Sequence, residues 1–241
     1  MTALGDRVST QRFGLDAARG IMGNVEAVNI FGFNRVVGTS FETLWNNGGS
    51  YSFLSAEQQL SVVSTDAADT MDILIQGLDG DYNEVDETIT LDGTNAVTTT
   101  NSFLRVNNAV ILSGENAGDI TGSYTTTDVF YIEAGIGTTQ ACVYTVPAGH
   151  SLYLFRIDLN SATVNPNKYL TIRNKTVSST GLEINTARAT FSVSQVSYDR
   201  QVPFRIDEKT DFEFDAKSSS SDNEVAVFVE AVLLKNSWGR D

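Results

Sequence analysis

The chain holds one histidine, His150, and one cysteine, Cys142, so the first chemistry to weigh is a thiolate–imidazole nucleophile pair. His150 follows Pro147-Ala148-Gly149, a turn signal. If that turn joins two hairpin strands, Val146 faces His150 and Cys142 faces Leu154. At about 3.4 Å per residue the two side chains then stand roughly 13 Å apart, beyond hydrogen-bond reach. His150 reads as a turn residue and Cys142 as a small buried apolar one. One histidine and one cysteine cannot assemble a zinc site. Asp79-x-Asp81-x-Asn83 opens like a calcium loop, in which alternating oxygens converge on a hard cation. The pattern then breaks, because Glu84 stands where the loop needs glycine and Thr90 where it needs a bidentate glutamate. It reads as a turn, with Glu84, Asp86 and Glu87 close enough for adventitious calcium. Neither a phosphate-cradling loop nor a nucleophile elbow is present. With 30 Asp and Glu residues, carboxylate pairs for glycoside hydrolysis abound, and nothing singles one out. Trp45, Tyr51, Tyr82 and Trp238 can supply a sugar platform if exposed, or packing if not. The expectation is a non-enzymatic protein without a cofactor.

Charge narrows the partners. Charged residues make up only 19% of the chain, yet the formal net charge is −14. Such a surface repels phosphate backbones, whose affinity for proteins comes largely from Lys and Arg releasing counterions. Nucleic acids and anionic membranes are therefore not expected partners. Residues 1–25 lack a basic region followed by an apolar one, and no apolar run is long enough to span a bilayer. That predicts a product made soluble inside a cell.

Whatever the chain does must be positioned by strands. In residues 73–105, Ile73-Leu74-Ile75 runs to Gly77, Asp79-Gly80 turns, and Val85, Glu87, Ile89 and Leu91 alternate with Asp86, Thr88 and Thr90. Asp92-Gly93 turns again before Val97 to Thr100 and Phe103 to Val106. This predicts an antiparallel meander, and its Thr, Asp and Gly content excludes a helix. Further strands are expected at Ala27–Phe31, Leu60–Val63, Val129–Glu133, Ser151–Leu159, Asp211–Ala216 and Glu224–Leu234, with Ser218 to Asn223 as a hairpin tip. Nineteen glycines and short strands at regular spacing predict an all-β fold, an antiparallel β-sandwich or jelly roll. The small, polar stretch Gly122 to Asp128 is the expected boundary between two tandem β units, residues 26–124 and 125–241, with one large sandwich as the alternative. The expected core includes Ile73, Ile75, Ile89, Leu91, Phe103, Leu152 or Tyr153, Ile157, Phe212, Phe214, Val227 and Val229.

Residues 1–25 show no strand alternation and at most one helical turn, at Asp16 to Arg19. Their spaced hydrophobes, Val8, Phe13, Leu15, Ile21 and Met22, are too few to close a core. They are the expected partner-binding residues of an extended arm that orders against a neighbouring subunit.

Several phrases occur together as they do in virion proteins of tailed phages, notably those of marine bacteria and cyanobacteria. They include Phe41-Glu42-Thr43-Leu44-Trp45, Asp69-Thr70, Ile75-Gln76-Gly77-Leu78-Asp79-Gly80-Asp81-Tyr82-Asn83-Glu84 and Glu87-Thr88-Ile89-Thr90-Leu91-Asp92-Gly93-Thr94. Ser102-Phe103-Leu104-Arg105-Val106, Asn116-Ala117-Gly118-Asp119-Ile120 and Tyr144-Thr145-Val146-Pro147-Ala148-Gly149 continue the series. The chain resembles that family from about Val25 into the 150s, with a shorter segment after Thr70. The resemblance implies a structural protein of the phage head surface, a decoration or cement protein bound to the major capsid protein lattice and to copies of itself. A neck or tail adaptor, a fibre component or a carbohydrate-binding host-attachment module is the alternative.

Overall fold

The first long strand and the last lie side by side. In the computed structural model, which describes residues 10–162, 169–220 and 223–237, β1 (Val25–Val37) pairs antiparallel with β16 (Asn223–Lys235) along nearly its whole length. Beside β16 runs β11 (His150–Ser161), and beside that β14 (Gln195–Ile206), giving one sheet of order β1-β16-β11-β14. A second sheet holds β10 (Val143–Thr145), β15 (Thr210–Ser218), β12 (Leu170–Ser178) and β13 (Glu183–Phe191) in that order, with β2 (Glu42–Thr43) also on β15. Counting the eight main strands in chain order, the sheets run 1-8-3-6 and 2-7-4-5. That is the strand order of a jelly roll, two Greek keys wrapped around one core.

Period-two alternation builds that core. Val225, Val227, Val229 and Ala231 of β16 point between the sheets and meet Ile30, Leu154, Phe212 and Phe214. Each large side chain so buried contributes about 1.5–3 kcal/mol. At Gly32 the sheets approach so closely that an added Cβ would stand 2.3 Å from Cys142 Cβ and 2.6 Å from the Leu44 carbonyl oxygen.

Between β2 and β10 the chain makes a separate lobe. Its strands are β3 (Ser61–Ser64), β4 (Asp72–Leu78), β5 (Glu84–Thr90), β6 (Val97–Thr98), β7 (Arg105–Ile111), β8 (Ile120–Tyr124) and β9 (Thr127–Ile132). They form two small antiparallel sheets, β6-β3-β8-β9 and β5-β4-β7, around Leu60, Ile73, Ile75, Ile89, Phe103 and Phe130. Every residue of the expected core is buried, Leu152 being the one of its pair that is. The expected meander holds for its first two strands, with Ile73 opposite Ile89. Its third strand departs, since β6 joins β3 in the other sheet and β7 takes the free edge of β4.

The sheets do not divide at residues 124/125. β1 and β2, upstream of that point, belong to the jelly roll, and β9, beyond it, pairs with β8 in the inserted lobe. Residues 122–128 are small and polar because they make a tight hairpin. Thr125 adopts φ +52° there, and Gly122 lies under the Phe130 ring with no room for a Cβ. Two other expected hairpins are crossings between sheets. Pro147 to Gly149 carries the chain from β10 to β11, and the stretch after Ser218 carries it from β15 to β16. Residues 221 and 222 of that second connection lie outside the described residues.

Candidate functional site: the helical arm and the lobe junction

The arm folds further than its sequence suggests. Thr10–Ala18 is a nine-residue helix, α1, where one turn at most was expected. Phe13 and Ala17 stand one turn apart and pack with Met22 on Val25 and Val232, with Phe155 and Leu234 alongside. That docking supplies what the weak intrinsic propensity does not. Gly20, at φ +65°, ends the helix, and its N–H donates to the Ala17 carbonyl. Of the five expected partner-binding residues, Phe13 and Met22 are half-buried against the chain's own sheet, Leu15 and Ile21 stand 58% and 59% exposed, and Val8 lies outside the described residues.

Where the inserted lobe meets the jelly roll, Arg105 of β7 crosses from one to the other. Its Nε and Nη2 donate to the two Asp211 carboxylate oxygens at 2.8 and 2.9 Å, and Nη1 donates to the carbonyls of Leu54 and Leu104. Thr145 Oγ1 donates to Asp211 as well, at 2.6 Å. The Phe53 ring lies 4.8 Å from the guanidinium carbon. Burial works against the Arg105 charge, yet the Asp211 hydrogen bonds hold its proton more tightly than usual. Removing one member of such a buried pair costs about 3–5 kcal/mol, because the other is left unpaired. Beside it, Asn107 acts as a one-residue strand. Its carboxamide donates to the Thr145 carbonyl and accepts from the Thr145 N–H.

Asp211 begins a row on the outer face of β15 that continues through Glu213 and Asp215. All three are buried, each against one cation: Arg105, Lys175 and Arg173 respectively. Phe41 covers Arg173, ring to guanidinium 4.1 Å, and Trp45, Tyr51 and Phe53 stack edge-on nearby. Burial, then the Asp215 charge, pushes the Glu213 carboxyl up to about 7, while Lys175 pulls the other way. The sequence reading missed this row. Its one signal is the strict acid–aromatic alternation of Asp211 to Asp215, joined to a lone arginine inside the apolar phrase Phe103 to Val106.

A polar cleft of about 620 Å³ opens on the other side of the junction, lined among others by Glu26, Glu84, Asp86, Asn108, Thr138 and Tyr144. Burial and the neighbouring Glu84 push the Glu26 carboxyl up. Its three carboxylates disfavour anionic ligands. Among the described residues no group of three or more His, Cys, Asp or Glu side chains is placed to hold a metal ion.

The residues first weighed for chemistry are dispersed. The hairpin that would set Cys142 opposite Leu154 does not form, because β10 pairs with β15. Cys142 is buried between β1 and β15, which raises its thiol pKa far above the usual range. His150 is on the other sheet, its Nδ1 3.0 Å from the Ala148 carbonyl oxygen. Asp79 spends its carboxylate on its own turn, accepting from the N–H groups of Asp81 and Asn83 at 2.9 Å. Trp45 and Tyr51 are packed inside, and Tyr82 stands under Arg105 and Lys209, so no platform forms among them. Trp238 lies outside the described residues. No described helix is long and apolar enough to cross a membrane.

No family model matches the chain, and no curated protein matches it. Among solved structures, the VP2 subviral particle of infectious bursal disease virus aligns over 89% of this chain and 72% of that one, at 11% identity with a TM-score of 0.26. The T13 particle of the same virus aligns over 88% and 72%, at 12% identity with a TM-score of 0.24. These scores are too low for a shared fold, and the jelly-roll assignment rests on strand order.

Proposed function

We propose that the protein is a non-enzymatic structural component of a virus particle, a decoration protein on the head of a tailed phage that binds the major capsid protein lattice. The observation that carries this reading is the arm, whose Phe13 and Met22 are docked on the chain itself while Leu15 and Ile21 are offered outward. A docked helix with one large aliphatic side chain in water, and a second just beyond its end, suits insertion into a groove on a neighbouring shell subunit. Many copies on a lattice gain effective concentration, so two such side chains suffice at each site. The phrases shared with tailed-phage virion proteins support the same class. Trp45 and Tyr51 are packed inside and so are not open to a sugar, and a place at the neck or tail is the competing location.

The test is occupancy of phage heads that lack the protein. Replacing Leu15 and Ile21 together by Glu should leave melting unchanged, since both are exposed, and should lower binding by about tenfold or more. That corresponds to losing much of the roughly 1.5–3 kcal/mol each aliphatic side chain gains on burial. Binding equal to wild type would remove the arm from the account, and wild-type binding to tails in place of heads would relocate the protein.

A further inference from the structure

The jelly roll is not closed on every side. Along one side it carries the inserted lobe, and along the other its two sheets end in β13 and β14. Register fixes which side chains of these edge strands point between the sheets. Ala187 stands beside Asn174 and Ile184 beside Thr176, in the alternating row that contains the core residues Leu170 and Ile172. Tyr198 stands beside the core residue Ile157. In a closed sandwich these positions are covered. Here Ile184 is 48% exposed, Tyr198 43% and Val202, in the bulge of β14, 79%. Five of the thirteen exposed large hydrophobics among the described residues fall within residues 182–202. In the same inward row, the buried side-chain oxygen of Asn174 has no hydrogen-bond partner.

Charge says what can cover this side. The whole chain carries −14, so two copies repel across most of their surface. Residues 182–206 do not share that excess of negative charge, with Arg188, Arg200 and Arg205 against Glu183 and Asp199. The placement is also self-complementary. When β13 is set antiparallel to its own mate about the Asn185–Thr186 step, Glu183 meets the partner's Arg188 and Arg188 meets the partner's Glu183. Among the described residues neither makes a close salt bridge within its own chain, Glu183 acting on Lys175 only at longer range and Arg188 lying 5.8 Å from the Phe41 ring centre. Thr186 is a bulge and Pro203 lacks an N–H, so neither edge offers an unbroken ladder. Side-chain packing about a closed two-fold axis fits this edge better than open-ended sheet growth.

We propose that the open side formed by β13 and β14 is a self-association surface, on which a second copy of this chain docks about a two-fold axis through Ile184, Tyr198 and Val202, framed by reciprocal Glu183–Arg188 pairs. The inference does not depend on where on a particle the protein belongs. The experiment is sedimentation of the purified full chain over a concentration series, with melting as a control on folding. Wild type should dimerise. Ile184→Asp with Val202→Asp should stay monomeric throughout and still melt cooperatively, because Val202 faces water in the single chain and Ile184 is about half exposed there. Glu183→Arg and Arg188→Glu should each weaken the dimer about tenfold, as two attractions become two repulsions. Combining the two reversals should restore it. Wild type that remains monomeric, a dimer that survives the aspartates, or single reversals that associate as wild type would overturn the proposal. So would a double reversal that fails to recover. Head binding by a monomeric chain would leave the decoration reading standing while this one falls, and a dimer that never binds particles would do the reverse.

Discussion

Glu213 is the residue at which burial and function of charge pull apart. It is enclosed on the outer face of β15 beside Asp215, and Lys175, with Arg173 behind it, only partly answers its charge. A carboxyl raised to about 7 in the folded chain binds a proton there that the unfolded chain releases near 4.5. Its contribution to stability is therefore complete below pH 4.5 and lost as the pH rises to about 7, by at most about 3 kcal/mol. Glu213→Gln keeps the shape and cannot ionise, so its melting temperature relative to wild type should be higher at pH 8 than at pH 5. An equal difference at both values would mean that Glu213 titrates normally. The sequence reading placed Phe212 and Phe214 in the core correctly, because alternation shows which residues share a face. It does not show whether the opposite face is wet. That face is covered by residues 41–53 and by Arg105, distant in sequence. A similar meeting of distant segments occurs at Asp69, which accepts from the N–H groups of Ala117 and Gly118 at 2.8 and 3.0 Å.

At the scale of elements, strands were legible wherever both rows of a strand had a settled environment. β4, β5, β11 and β16 lie where Ile73–Gln76, Val85–Leu91, Ser151–Leu159 and Glu224–Leu234 were expected. Partners were less legible, since a turn motif records that the chain reverses and not which sheet it re-enters. Pro147 to Gly149 and Gly122 to Asp128 were each misread for that reason. Gly32 shows what such connections must respect. Its neighbours are the Cβ and N of Cys142 and the carbonyl oxygen of Leu44, so Gly32→Ala can be accommodated only by moving β1 away from the residue that follows β2 and the one that precedes β10. A loss of roughly 1–3 kcal/mol is expected, read as a lower midpoint in denaturant with an unchanged slope. A wild-type midpoint would show that the strands are freer to part than their spacing indicates.

For the whole molecule, the sequence pointed to one all-β chain but placed the division in the wrong place, because the two β units are nested and not tandem. Nesting has a temporal side. The hydrophobic residues of the inserted lobe are confined to residues 54–132, so its contacts can all form once that segment exists. The jelly roll is in the opposite position, for β1 has no sheet to join until β16 has been made. A fragment of residues 50–141 should therefore melt cooperatively by itself, at a lower temperature than the full chain because Arg105 lacks Asp211; a fragment without a cooperative transition would make the lobe dependent on its host. On a ribosome the lobe would fold first and hold β1 and β2 beside the start of β10 while the remaining strands emerge. Of the two cores, the one that reaches its final form last is the one whose first strand left the tunnel earliest, and that long-unpaired strand is where misassembly between nascent chains would begin.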